Sequence, residues 1–403
     1  MGIKRKIKNY IYVKTHYPLT TNKTKHIHDR KTILIINALI PSFDRDSGSN
    51  RITEIAIFLS QYYNVYFIHS FSPIPKLDEK KYIENFARHN VSVYTPFINR
   101  FGIMRGKNYF LKKLIPKLDF VWFHGPDILE QYLIFFKRKA PTVKIIYDMI
   151  DIHFLRMGRG QYYNADQNLS KQIEHYKYLE TEFSKKADKI AVISEEEKNM
   201  MKSYIDESKL SIISNIHNLK KKPSQLPTFD HRAGIFFIGS FLHKPNVDAV
   251  IYLFEKIMPI VWNKLPQLNV TIIGQNPPDE IKIMDSERFK IKGFVENLIP
   301  YLENTLASVS PLRYGAGVKG KIGQSLEYSL PVVTTKIGAE GMFLEHKLTA
   351  LISDTQDPIT FAENIIEICT NKNTWETIHN NSEKAIQPFT IETQKNQLLN
   401  LLS

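Results

Sequence analysis

The sequence predicts an α/β fold with two doubly wound parallel sheets, one in each of two domains. Short apolar segments alternate with stretches long enough for a helix over residues 32–217, and the same alternation restarts at residue 233. This alternation is typical of parallel sheets covered by helices on both faces. Two domains of this kind place the carboxyl ends of their strands on either side of a cleft, where ligands bind.

The first predicted domain covers residues 32–217. Its predicted strands are TILIINALI, VYFIHS, VSVYT, DFVWF, VKIIYD, DKIAVIS and LSIISN. Continuous apolar runs of this length indicate strands that are buried on both faces of a sheet. Helices are expected from ITEIAIFLSQYY at 52–63 and from a charged stretch at 167–187.

The second predicted domain covers residues 233–386 and follows a linker at 218–232, which is polar, contains two prolines and has no periodicity. Its predicted strands are AGIFFIGS, LNVTIIG, FKIKG, LASVSP, PVVTT and TALIS, and its helices lie at 246–264, 320–329, 358–370 and 373–385. The final segment, 387–403, contains several leucines that need a surface on which to be buried.

The composition is that of a folded protein of two or three domains. The chain has 403 residues, of which 24% are charged and 43% hydrophobic. The one cysteine, Cys369, excludes a disulfide framework and fits a reducing compartment. The sequence has no run of 18 apolar residues and no recognisable signal peptide, so we expect a cytoplasmic protein.

Residues 1–31 form a basic N-terminal extension. They contain nine Lys or Arg residues and one acidic residue, which gives +8 of the chain's net charge of +13. Ile3, Ile7, Tyr10 and Ile11 recur between these charges at helical spacing. This pattern predicts binding to an anionic membrane surface. The alternative is a solvated tail without a target; no groove-reading motif accompanies the basic residues, so nucleic acid is not an expected partner.

Residues 311–341 predict a site for a diphosphate. Gly315 and Gly317 allow the backbone to approach a ligand closely. Lys319 and Lys321 follow at the start of a predicted helix, whose unpaired N–H groups favour an anion. Arg313 adds a forked donor suited to phosphate oxygens.

This segment resembles the donor-binding segment of glycosyltransferases with the GT-B fold, close to the family-4 retaining enzymes (glycosyl transferases group 1). FFIGSFLHKPNVDAV, VTIIGQNPP and IKGFVENLIPYL resemble other parts of the same donor domain, and IYDMIDIHFLR and ADKIAVISEEE resemble parts of the acceptor domain. The resemblance covers roughly residues 32–390. It implies two Rossmann-like domains facing across a cleft, with residues 387–403 crossing back onto the first domain.

The resemblance also implies an activity and a set of ligands. The expected reaction is metal-independent and retaining transfer of a sugar from a nucleotide-diphosphate sugar to a glycan or lipid-linked acceptor, in bacterial surface polysaccharide or glycoconjugate synthesis, with no cofactor. Of Lys319 and Lys321, one is expected to reach the phosphates, because residues two apart do not share a helical face. The implied donor-binding residues are Gly48, Ser49, Gly239, Ser240, Lys244, Arg313, Gly317, Lys319, Lys321 and Gln324.

The chain departs from the family pattern at two positions. Family-4 enzymes usually carry two glutamates eight positions apart, and counting back from Pro331 places these positions at Ala316 and Gln324. Gln324 can still hydrogen-bond a ribose hydroxyl. Glu327 is the nearest carboxylate and is a catalytic candidate. Ala316 and Gln324 suggest a catalytically silent glycan-binding or partner subunit as one alternative. Another GT-B chemistry, such as nucleotide-sugar epimerisation or phosphorolysis, is a second alternative.

Acidic and histidine side chains follow predicted strands of the first domain. Asp151 and His153 are candidates for orienting or deprotonating an acceptor, and His124 is a second histidine candidate. Asp44 and Asp46 have the spacing of a metal-binding pair, but turn formation and helix capping explain them better. We therefore expect no metal site.

Overall fold

The structure is a computed structural model that describes residues 3–4, 7–8, 10–11, 26–70, 79–98, 103–161, 167–219 and 226–403. The greater part of the basic N-terminal extension and part of the predicted linker lie outside these ranges. Ile3, Ile7, Tyr10 and Ile11 lie within them, have helical backbone and are exposed.

The first domain contains a seven-stranded parallel sheet with the order β3-β2-β1-β6-β7-β8-β9. Its strands are β1 Thr32–Asn37, β2 Asn64–His69, β3 Val91–Val93, β6 Phe120–His124, β7 Lys144–Asp148, β8 Lys189–Val192 and β9 Leu210–Ile212. Its helices are α1 Ser47–Leu59, α2 Lys80–Arg88, α3 Lys107–Leu114, α4 Pro126–Lys139, α5 His153–Gln161, α6 Gln167–Thr181 and α7 Glu195–Met201. A small antiparallel pair, β4 Phe97–Ile98 and β5 Met104–Arg105, was not predicted.

The second domain contains a six-stranded parallel sheet with the order β12-β11-β10-β13-β14-β15. Its strands are β10 Ile235–Ile238, β11 Val270–Ile273, β12 Phe289–Gly293, β13 Ala307–Ser310, β14 Val332–Thr335 and β15 Leu351–Ser353. Its helices are α8 Lys244–Tyr252, α9 Met258–Lys264, α10 Asp279–Lys282, α11 Ile299–Asn304, α12 Gly320–Glu327, α13 Lys336–Ala339, α14 Pro358–Thr370 and α15 Lys372–Ile386. The fold class predicted from the sequence is confirmed.

Both sheets have a topological switch point. The strand order reverses between β1 and β6 in the first sheet and between β10 and β13 in the second. The loops that leave these strands diverge there and form a crevice. The functional cleft should therefore be built from the loops after β1, β10 and β13.

The predicted helix 246–264 is divided in the structure. A π-helical turn, Leu253–Ile257, separates α8 from α9. Pro259 stands in the first turn of α9 and has no N–H group to donate to the preceding turn. The extra residue of the π turn accommodates this missing hydrogen bond.

The last helix, α16 Ile391–Leu401, packs on the first domain. Leu398, Leu401 and Leu402 are buried in the same apolar cluster as β1 and α1. Each buried leucine contributes about 1.5–3 kcal/mol relative to an exposed one. The chain therefore crosses between the domains twice.

The two crossings lie side by side. His217, after β9, forms a parallel bridge with Thr390, just before α16. The His217 N–H donates to the Phe389 carbonyl at 2.8 Å.

Arg232, inside the predicted linker, is buried and donates to the carbonyls of Leu302 and Thr305. The chain around Arg232 is thus part of the second domain.

Candidate functional site

A cleft of about 660 Å³ lies between the two domains. Its volume is within the range of roughly 300–1,000 Å³ that is common for small-molecule sites. Ten of the residues that the sequence placed at a ligand or in catalysis line it: Gly48, Asp151, Gly239, Ser240, Gly315, Gly317, Lys319, Lys321, Gln324 and Glu327. Five others are not among the lining residues: Ser49, His124, His153, Lys244 and Arg313.

Three helices begin at the cleft. Ser47 at the start of α1, Pro245 in the first turn of α8 and Gly320 at the start of α12 all line it. The positive dipole ends of three helices therefore converge on one space, although Asp46 caps the Ser49 N–H in α1 and Pro245 has no N–H group in α8. This arrangement favours an anionic ligand such as a diphosphate.

The glycine loop before α12 brings the domains into contact. Gly317 has a φ of 71°, in the left-handed region that favours glycine. A Cβ atom at Gly317 would lie 2.8 Å from the Ile193 side chain and 3.2 Å from Asp151 Cβ. A side chain here would therefore force the loop away from the first domain.

Lys319 and Lys321 both line the cleft. Lys319 is the N-cap residue of α12 with extended backbone, so the helical spacing rule that predicted one cleft lysine does not apply to the pair. The Lys319 ammonium donates to the carbonyls of Ala316 and Gly317. The Lys321 ammonium donates to Asn246 Oδ1 at 2.5 Å and lies 4.4 Å from the centre of the Phe237 ring.

Burial lowers the pKa of both lysines. It lowers the pKa of Lys319 to about 8, although the nearby carboxylates of Glu340 and Glu197 act in the opposite direction. Burial and the charge of Lys319 together lower the pKa of Lys321 to about 7. Because a bound anion near them would favour the charged form of both side chains, the pair is suited to bind phosphate oxygens.

Arg313 has a different setting from the one predicted. Its guanidinium forms an ion pair with Asp248 and lies 4.9 Å from the centre of the Tyr252 ring. These contacts tie the end of β13 to α8. Lys244 is exposed, and Ser49 donates both its N–H and its hydroxyl to Asp46 at 2.7 Å.

The carboxylates of the predicted Asp pair are engaged within the protein. Asp46 is the N-cap of α1 and accepts the Ser49 N–H. Asp44 accepts from Lys81 and from the Tyr82 hydroxyl, each at 2.6 Å. Over the described ranges, no group of three or more His, Cys, Asp or Glu side chains is arranged to hold a metal ion.

Gly320 and Ser47 place the starts of α12 and α1 in direct contact across the cleft. A Cβ atom at Gly320 would lie 2.1 Å from Ser47 Cβ and 3.5 Å from Ser47 Cα. In an unobstructed helix, Gly→Ala stabilises by about 0.5–1 kcal/mol. Here we expect Gly320→Ala to lower the melting temperature and the affinity for nucleotide.

Adding Ser47→Gly to Gly320→Ala should restore both the melting temperature and the affinity for nucleotide. The nearest remaining atom is then the Cα of residue 47, at 3.5 Å, which is an ordinary contact distance. Ser47→Gly alone is the matched control. Calorimetric melting and nucleotide titration of the four proteins measure the coupling. If Gly320→Ala stabilised the protein, the two helices would not be in contact.

A buried ionic cluster supports the first-domain side of the cleft. Arg51 of α1 and Asp148 of β7 form an ion pair at 2.7 Å with both side chains almost fully buried. Asp148 also accepts from Trp122 Nε1 at 3.1 Å and from His124 Nδ1 at 2.9 Å. Burial raises the pKa of Asp148, but Arg51 and His124 outweigh burial and hold it well below the usual range. His124 therefore has a structural partner.

Asp151 and His153 form a second ionic group at the cleft. His153 Nδ1 lies 2.9 Å from Glu180 Oε1 and 3.0 Å from Asp151 Oδ1, and Arg156 forms an ion pair with Asp151. Burial opposes protonation of His153, but the two carboxylates raise its pKa to about 10. His153 therefore carries its proton at neutral pH. A role as the base that deprotonates an acceptor does not fit this arrangement.

Glu327 is engaged with the crossing between the domains. Its Oε1 accepts from His217 Nδ1 at 2.6 Å and from the Asn218 N–H at 3.2 Å. His217 Nε2 is buried without a partner among the described residues, and a Cβ at Gly323 would lie 2.1 Å from it. Glu327 thus ties α12 to the crossing, while Gln324 on the same helix lines the cleft.

The sequence reasoning missed several residues of the site. Arg159 bridges the domains, donating to the Gly315 carbonyl at 2.7 Å and to the Glu340 carboxylate at 2.7 and 2.9 Å. Burial and the charge of Asp151 raise the pKa of Glu197 to about 8. The S-x-x-E spacing of Ser194 and Glu197 is a capping-box signal that could have identified this helix start. His243 also lines the cleft.

Comparisons with known proteins agree with this geometry. Residues 232–371 match a family model described as glycosyl transferases group 1. An uncharacterized 44.6 kDa protein in the cps region of Klebsiella pneumoniae is 25% identical over 225 residues. That alignment covers 52% of this chain and 56% of the relative, so the two chains match over about half of their lengths.

Two solved structures share the whole architecture. Sucrose-phosphate synthase from Thermosynechococcus elongatus has a TM-score of 0.67 at 14% identity, covering 93% of this chain and 99% of that one. The Anabaena protein Alr3699/HepE, solved in complex with UDP-glucose, has a TM-score of 0.65 at 15% identity, covering 92% and 99%. The chain therefore has the GT-B fold of glycosyltransferases. Its second domain carries the pattern of the glycosyl transferases group 1, and the resemblance drawn from the sequence is confirmed.

Proposed function

We propose that this protein is a glycosyltransferase that moves a sugar from a nucleotide-diphosphate sugar to a glycan or lipid-linked acceptor. The observation that carries the proposal is the meeting of three helix N-termini with Lys319 and Lys321 in one cleft. These groups supply the positive charge that a leaving diphosphate requires. The relative encoded in a cps region supports a role in surface polysaccharide synthesis.

The proposed reaction is retaining and metal-independent, and it takes place in the cytoplasm without a cofactor. Asp151 and His153 are paired with other charged groups, so neither is poised as a strong base. This favours a mechanism in which the leaving phosphate itself assists the incoming hydroxyl. The protein's own cations then stabilise the charge that develops on the diphosphate.

Thermal melting with a panel of nucleotide-diphosphate sugars tests the donor site. A donor present at 100 times its Kd should stabilise the protein by about 2.7 kcal/mol. The stabilising donor is then incubated with lipid-linked and soluble glycan acceptors, with and without excess EDTA. Transfer that persists in EDTA is the expected result. Transfer that stops and is restored by magnesium or manganese would contradict metal independence.

Ala316 and Gln324, which replace the usual glutamates, favour a specific alternative. A catalytically silent glycan-binding subunit would bind a nucleotide but show no donor hydrolysis above background. A nucleotide-sugar epimerase would convert the free donor in the absence of an acceptor. Product analysis of the donor alone distinguishes both from a transferase.

We further propose that the N-terminal extension holds the protein at an anionic membrane surface. Within the described part of the chain, no helix combines the length and apolarity needed to cross a membrane. The exposed side chains of Ile3, Ile7 and Ile11 support surface contact. The Ile27 N–H donates to Asn64, so the test should remove only residues 1–25. Anionic vesicles should bind the full-length protein more strongly than the protein that lacks residues 1–25. Equal binding of these two proteins to the vesicles would contradict this role.

A further inference from the structure

His243 occupies a fixed position at the cleft. It immediately precedes α8, and its side chain lines the cleft and is exposed to it. Its N–H donates to the Ser240 carbonyl at 3.2 Å, and its own carbonyl accepts the Asn246 N–H at 2.9 Å. Asn246 in turn accepts from Lys321. The start of α8 and the start of α12 are therefore linked through the turn that carries His243.

The electrostatic surroundings of His243 come from three other elements. Arg156 faces it from α5, Lys319 and Lys321 face it from the start of α12, and Asp151 faces it from the loop after β7. Partial desolvation by the walls of the cleft and the three cations lower the pKa of His243, against the single opposing charge of Asp151. At neutral pH without a bound anion, the imidazole is thus the neutral member of a cationic group.

We propose that His243 is a ligand of the donor diphosphate and binds it in the protonated form, so that donor binding takes up a proton. This inference rests on the proposed function. An anion among Lys319, Lys321 and Arg156 cancels the repulsion that keeps a proton off the imidazole. The imidazolium can then donate a charge-assisted hydrogen bond to a phosphate oxygen.

The placement of the neighbouring residue supports this choice of ligand. The resemblance implied Lys244 as the basic residue of this loop, but Lys244 is not among the residues that line the cleft, whereas His243 is. Because α8 begins at Lys244, with Pro245 next, the chain turns so that residue 243 faces the ligand space. The basic group at this point of the site is therefore an imidazole, which is neutral in the free protein and can become charged beside a bound anion.

Calorimetric titration with nucleotide-diphosphate sugars tests the inference. UDP-glucose, GDP-mannose, ADP-glucose and TDP-glucose are the probes, and the tightest binder is studied further. A sugar diphosphate is preferable to a nucleoside diphosphate because it lacks the terminal phosphate group that titrates near pH 6. Titration at about pH 6.5 in two buffers of different ionisation enthalpy gives the number of protons taken up on binding.

The native protein should take up a proton on binding, in part through Lys321. His243→Asn should lose most of this uptake and bind about tenfold or more weakly. His243→Lys, which is charged in both states, should retain affinity but lose the same share of proton uptake. Lys244→Gln is the matched control and should behave as the native protein.

The outcomes separate the inference from the proposed function. Equal proton uptake by the native protein and His243→Asn would overturn the inference and leave the proposed function intact. The same holds if His243→Asn binds as tightly as the native protein. If none of the probes bound to the correctly folded protein, the proposed function would fail, and the inference would fail with it.

Discussion

Replacement of both Lys319 and Lys321 by alanine is expected to weaken binding of the donor nucleotide by about 100-fold or more. Each lost charge-assisted contact costs about 1.5–3 kcal/mol. Two such losses weaken binding by about 100-fold or more, since each 1.4 kcal/mol is a factor of ten. Calorimetric titration with the donor identified by thermal melting measures the effect, and each single variant should show an intermediate loss.

The matched control is Arg313→Ala, because Arg313 is paired with Asp248 outside the cleft lining. It should change thermal stability more than nucleotide affinity. The reverse pattern, with intact binding in the double lysine variant and loss in Arg313→Ala, would return the phosphate site to Arg313.

The same two lysines predict how binding depends on pH. The pKa of Lys321 is lowered to about 7 and that of Lys319 to about 8 in the protein without a bound anion. Because the diphosphate prefers both ammonium groups charged, its affinity should fall as the pH rises through this interval.

Arg51→Ala is expected to destabilise the first domain by about 3–5 kcal/mol, because it leaves the Asp148 carboxylate buried without its main counter-charge. Urea unfolding followed by circular dichroism measures the loss. The control is Lys80→Ala, which removes an exposed ion pair with Glu84 in the same domain. That substitution should cost less than about 1 kcal/mol. Similar losses in the two variants would contradict a buried cluster.

The cluster also predicts how the free energy of unfolding depends on pH in the acid range, here called the acid limb. The folded-state pKa of Asp148 lies below its unfolded value of about 3.9. Its contribution to stability is therefore complete above about pH 5 and decreases as the pH falls through the unfolded and then the folded pKa. Arg51→Ala should flatten this acid limb, since the carboxylate then loses the partner that favours its charged form.

Most of the strands could be predicted because they are buried on both faces of their sheet; the edge strand β12 is an exception, with Lys290 and Lys292 exposed. A continuous apolar run such as Ile33–Ile36 has few alternatives in a chain of this length. The phosphate side of the cleft could be predicted for a related reason. The role of glycines and lysines at the start of a helix depends on the local backbone geometry. That geometry is determined largely by residues that are neighbours in the sequence.

The rest of the site depends on which charged groups meet across the fold. The Arg51–Asp148 and His153–Glu180 pairs join residues from different elements, and neither pairing leaves a local signal. Arg51 does lie on the apolar face of α1 with Ile55, Phe58 and Leu59, and a charge on such a face indicates a buried partner. The position of residue 243 rather than 244 in the cleft was not predictable, because it follows from a single turn of the backbone.

The pairing of the two crossings determines how this molecule can move. His217 and Thr390 are held together by backbone contacts, and the second domain is attached to the first through these adjacent segments. A rotation that preserves both must pivot about this line. Movement is then smallest at Glu327, which is bonded to His217. The helix that begins at the lysines is thus anchored at its C-terminal end, close to the axis of such a rotation.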